Sequence, residues 1–69
     1  MKLSARNRLD GTVVKITRGE AIANVVLDVG GGRIVASITV EAVDDLGLKE
    51  GSSATAVIKA ADVMIGIDG

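Results

Sequence analysis

Cysteine, histidine and all three aromatic residue types are missing from this chain of 69 residues, and that narrows the ways it can become stable. A domain so short buries only about 60% of the surface its unfolded chain exposes, so its own core is marginal. Small domains usually make up the deficit with disulfides, a structural metal or association. Lack of cysteine closes the first route, and lack of histidine as well closes the usual soft-metal sites. Association with further copies is the route that remains.

The apolar 48% consists mainly of valine, isoleucine and alanine. Valine and isoleucine are stiff at χ1 and suit the pleated surface of a strand. Nine glycines and no proline supply turns and bulges without a rigid linker. The whole span 1–69 therefore reads as one β-rich domain. Its formal net charge of −1 gives no general field for nucleic acid or an anionic membrane. Any anion it binds must be held by a few local donors. No charged amino-terminal stretch leads into a long apolar run, and no run approaches the ~18 residues of a membrane span. A soluble cytoplasmic protein is the expectation.

Along the chain, Leu9 to Ile16 reads as a first strand, with Asp10-Gly11 as a bulge near its start. Thr17 to Glu20 reads as a turn in which Gly19 supplies a positive φ. In a second strand, Ala21 to Val29, the apolar set Ala23, Val25, Leu27 and Val29 alternates with the mixed set Ile22, Asn24, Val26 and Asp28. Gly30-Gly31-Gly32 then closes a hairpin onto a third strand, Arg33 to Val40, whose apolar face is Ile34, Ala36, Ile38 and Val40. Thr39 is placed to cap a short helix, and Gly47 to end it with Leu48 folded back on Val43. Ser53 to Ala60 and Val63 to Ile67 give a fourth and a fifth strand. Five strands with one short helix between the third and fourth predict an all-β, OB-fold-like barrel.

Catalysis finds little support. The triple glycine is followed by a strand pattern and not by Gly-Lys-Ser/Thr, so it is a turn rather than a phosphate loop. The nine acidic residues show no calcium-loop spacing, Asp44-Asp45 reads as part of a solvated helix face, and no nucleophile–histidine–acid set exists without histidine. Single-stranded nucleic acid binding by an OB barrel relies on aromatic platforms and a basic groove, and the chain has neither aromatics nor a basic balance.

Three segments carry the functional signal: Ser4-Ala5-Arg6-Asn7, Ile38-Thr39-Val40, and Ile58 to Val63 with Lys59 as the charge in a small and apolar stretch. Taken singly, Arg6 and Lys59 are surface charges and Thr39 is a helix cap. Together with Leu9-x-Gly11-x-Val13, Leu46-Gly47-Leu48, Gly51 and Ala56-Val57-Ile58-Lys59-Ala60, they resemble the molbindins, also called Mop-domain proteins, over nearly the whole chain.

The resemblance implies binding of molybdate or tungstate as an intact oxyanion, with no cofactor, no metal–protein bond and no catalytic residues. It implies a homohexamer built as a trimer of dimers, whose OB-like domains exchange or interlock strands and hold the anions at subunit interfaces. Carried onto this sequence, the binding residues are Ser4, Ala5, Arg6, Asn7, Thr39, Lys59 and Ala60. Arg6 would bring a charged fork, Ser4 and Thr39 hydroxyls, Lys59 a point charge and Ala60 a backbone N–H. One departure is Ala42, where the family often has serine. Two other classes of function stay open on the residues alone. One is a prosthetic-group carrier presenting Lys59, and the other is a structural assembly module indifferent to anions.

Overall fold

A computed structural model describes Ser4 and residues 6–69. Strand β1 (Asn7–Arg18) leads to β2 (Ile22–Asp28) and β3 (Arg33–Thr39), then helix α1 (Val40–Asp45) and β4 (Ser53–Ile58), followed by a 3-10 turn at Ala60–Asp62. The strands form one antiparallel sheet in the order β3-β2-β1-β4.

Strand β1 serves two partners in turn. Its first half, Asn7 to Thr12, pairs with Ile58 to Ser53 of β4, and its second half, Thr12 to Arg18, pairs with Asp28 to Ala23 of β2. The change of partner falls at Thr12, and at the adjoining Gly11 an added Cβ would lie 2.6 Å from the Asp28 carbonyl oxygen. Only glycine admits the neighbouring backbone that closely. Just beyond, the register to β2 shifts between Val13 and Lys15. That bulge at Val14 sharpens the local twist and helps curl the sheet. The bulge therefore lies four residues past the expected Asp10, while Gly11 serves close approach instead.

Alternation settles the faces. Ala23, Val25 and Leu27 of β2 are buried with Val13 and Val43, and Ile34, Ile38, Val40, Leu48, Ala54 and Ala56 pack around them. The helix supplies Val43 because both of its ends are fixed. Thr39 Oγ1 accepts the Ala42 N–H at 3.0 Å, relieving one of the orphan donors of the first turn. At the other end Gly47 takes φ 63°, and the Leu48 and Gly47 N–H groups donate to the Val43 and Asp44 carbonyls at 3.0 and 3.1 Å, which is a Schellman closure. The Gly19 turn also forms, but without positive φ. The Gly19 N–H donates to the Ile22 carbonyl at 2.8 Å, and a Cβ on Gly19 would meet that same oxygen at 2.8 Å.

Two further expectations are corrected. Strand β4 ends at Ile58 instead of Ala60, because the Asp62 and Val63 N–H groups turn back onto the Lys59 and Ala60 carbonyls. The fifth strand over Val63 to Ile67 is not formed, leaving four strands. A strand exists only through its ladder, and this segment finds no partner edge within the described residues. The curled sheet is open in consequence: β3 and β4 are its two edges. Between them lies a trough of about 720 Å³, lined by apolar side chains such as Leu27, Ile34, Ile38, Leu48, Ala56 and Ile58. Met64, Ile65 and Ile67 meanwhile stand 92%, 89% and 93% exposed.

Candidate functional site

The β1–β4 ladder decides which of the marked residues meet. Its terminal pair is Asn7 opposite Ile58, so Arg6 and Lys59 leave the sheet side by side at the same end. Asn7 and Ile58 are half-buried, whereas Arg6 and Lys59 are exposed. This is the alternation of a strand pair carried one residue beyond its last rung. Neither Arg6 nor Lys59 takes part in an ion pair among the described residues, whereas Arg18 pairs with Asp44 at 2.9 Å.

Lys59 also opens the 3-10 turn, with φ −64° and ψ 135°. In that turn the Lys59 and Ala60 carbonyls accept from Asp62 and Val63, so the amide of Ala60 at its start takes no part in the turn's own bonds. Ser4 is exposed and precedes Arg6 by two residues. Ala5 lies outside the described residues. Beside Arg6 is a shallow hollow of about 420 Å³, which Arg8 lines together with Asn7, Leu9, Ile34, Ile58 and Val63.

Thr39 is elsewhere. It pairs with Ile22 at the far end of β3, beside the end of β1 that carries Arg18. From Ile34, which reaches the hollow beside Arg6, Thr39 is five residues along an extended strand, about 17 Å. Its Oγ1 has accepted the Ala42 N–H, which leaves the hydroxyl hydrogen free to donate elsewhere. Within one chain the marked residues thus fall into two groups, with Arg6, Asn7, Lys59 and Ala60 at one end and Thr39 at the other.

Sequence reasoning passed over Arg8. It is exposed, faces Val57 across the ladder and shares the face of Arg6 by strand alternation. The signal was the two-residue period once β1 is known to begin at Asn7 instead of Leu9. The Arg18–Asp44 pair was missed as well, because it joins positions 26 apart in sequence. Among the described residues no group of three or more acidic, histidine or cysteine side chains is placed to hold a metal ion.

The family model described as the TOBE domain matches residues 3–65, so the chain belongs to the TOBE-domain family, on its molbindin side. It is 48% identical over 66 residues to a protein of Clostridium pasteurianum named molybdenum-pterin-binding protein 3, a match covering 94% of this chain and 97% of that one. Among solved structures, a molybdate-binding protein from Sporomusa ovata superposes with a TM-score of 0.92 at 40% identity, over 97% of this chain and all of the other. The cytoplasmic molybdate-binding protein ModG, in a molybdate-bound form, gives 0.93 at 51% identity. There the match takes in 99% of this chain but 49% of that one.

Proposed function

We propose that this chain is a reversible store of molybdate or tungstate in the cytoplasm, a single Mop-type domain that catalyses nothing and needs no cofactor. It holds the intact oxyanion by hydrogen bonds and positive charge at interfaces between copies of itself, in a homohexamer arranged as a trimer of dimers. Neither nucleic acid nor membrane is a partner. Support comes from the molybdate-binding solved relatives and, in this chain, chiefly from one observation: Arg6 and Lys59 emerge together at the end of the β1–β4 ladder. A dianion leaving water needs nearby positive charge, and hydrogen bonds to charged groups are roughly twice as strong as neutral ones. Arginine brings a planar fork and lysine an adjustable point charge. Ser4, Ala5, Asn7 and the Ala60 N–H complete the half-site.

Association follows from the same features. Thr39 joins Arg6 and Lys59 only if it comes from another copy, and rotational symmetry then supplies every donor more than once. The unfilled trough between β3 and β4 and the exposed Val63–Ile67 segment complement one another. Seating that segment from one copy in the trough of the next completes the barrel and covers both apolar surfaces.

The test is calorimetric titration of anion-free protein with molybdate, tungstate and sulfate at matched ionic strength. Saturable binding of the first two, with sulfate much weaker, is expected. Silence toward all three would leave an assembly module without a ligand, and an added mass on Lys59 in the intact protein would point to a carrier instead.

A further inference from the structure

Three of the eight basic residues of this slightly acidic chain, Arg6, Arg8 and Lys59, crowd one end of one sheet face. Strand alternation puts Arg8 on the side of Arg6, two residues on and therefore about 7 Å away along the chain. Across the ladder Arg8 faces Val57, and Lys59 follows two residues later on that same side. Two carboxylates oppose this cluster. Asp10 is next along β1, where the Thr55 hydroxyl donates to its Oδ1 at 2.8 Å. Asp62 sits in the turn after Lys59. The excess at this end of the sheet is positive, against a net charge of −1 for the whole chain.

We propose that Arg8 is a third cation of the anion site, acting through its field on a dianion that Arg6 and Lys59 hold. The inference rests on the oxyanion-binding reading above. Arg8 need not touch the anion. As an exposed charge two residues along β1 from Arg6 and lining the same hollow, it raises the local concentration of doubly charged ligand and adds to affinity when salt is low. This makes its effect separable from that of a contact residue, because screening removes a field at a distance but only weakens a close, partly desolvated hydrogen bond.

The experiment is calorimetric titration of the wild-type assembly and of Arg8→Lys, Arg8→Gln and Arg8→Glu with molybdate, at about 10 mM and about 1 M sodium chloride, where the screening lengths are about 30 and 3 Å. For a single charge about 10 Å from a dianion, Coulomb's law in water gives about a fourfold change in affinity for each unit of charge removed at low salt. Arg8→Lys should match the wild type, Arg8→Gln should bind about fourfold more weakly and Arg8→Glu about sixteenfold, with all four converging at high salt. Convergence also shows that the variants are intact. A loss that persists in 1 M salt would overturn the inference by making Arg8 a contact or structural residue, and equal affinities at low salt would overturn it too. If the wild type itself ignores molybdate, the functional reading falls and this one with it.

Discussion

Arg6 and Lys59 gain their meaning from position more than from type. Each is an exposed cation of an ordinary kind, but the Asn7–Ile58 rung makes them neighbours although 53 positions separate them in sequence. A charge-assisted hydrogen bond lost from a desolvated ligand is a large fraction of the free energy of binding a small ion. Arg6→Ala or Lys59→Ala should each weaken molybdate binding about 10- to 100-fold, read by calorimetry, while the size of the assembly by sedimentation stays the same. Normal binding by both variants would remove these residues from the site. Acid should matter little in the neutral range. The chain has no histidine and no cysteine, the side chains whose reference pKa values lie nearest neutrality. Affinity for molybdate measured between pH 6 and 8 should therefore be flat, and a steep loss inside that window would count against this ligand set.

At the scale of elements, the parts that local chemistry dictates were legible in the sequence. Ala23, Val25 and Leu27 alternate with polar or mixed residues and are the buried face of β2. Thr39 and Gly47 bracket α1 as their side-chain and backbone chemistry requires. Features that depend on a partner were not legible. The bulge belongs to Val14 because β1 must realign on β2 there, and nothing in Val13-Val14-Lys15 announces it. For the candidate site, Arg6 and Lys59 stood out in the sequence, but that they are neighbours needed the Asn7–Ile58 rung, and the position of Arg8 beside them needed the true start of β1. Gly11 offers a direct test of the two-partner strand. In Gly11→Ala the new methyl would sit 2.6 Å from the Asp28 carbonyl oxygen and about 3.0 Å from the Val29 side chain. The backbone must give way, and the destabilisation should be about 1–3 kcal/mol, measured by urea unfolding. A variant as stable as the parent would show that the change of partner at this point is not constrained by that contact.

The whole molecule is where the missing fifth strand becomes informative. Among the described residues only Val13, Ala23, Val25, Leu27 and Val43 are buried in the isolated chain, a small core for a chain of 69 residues. Three large apolar side chains, Met64, Ile65 and Ile67, are almost wholly in water, and the two sheet edges that could take a strand face an unfilled apolar trough. Exposed apolar surface on this scale beside open edges is a liability in a monomer and an interface in an oligomer. Ile65→Asp places a charge in the segment proposed to be covered by a second copy and removes an apolar side chain there at the same time. On the proposed assembly it should shift the protein towards monomer in sedimentation, lower its thermal stability, and abolish molybdate binding although Arg6, Lys59 and Thr39 are untouched. Loss of assembly together with loss of binding is the signature of a site divided between copies, because a dispersed chain keeps both halves but cannot bring them together. A monomeric Ile65→Asp that still binds molybdate normally would place the whole site within one chain, and the separation of Thr39 from the Arg6–Lys59 pair would then have to be closed by movement of the sheet itself.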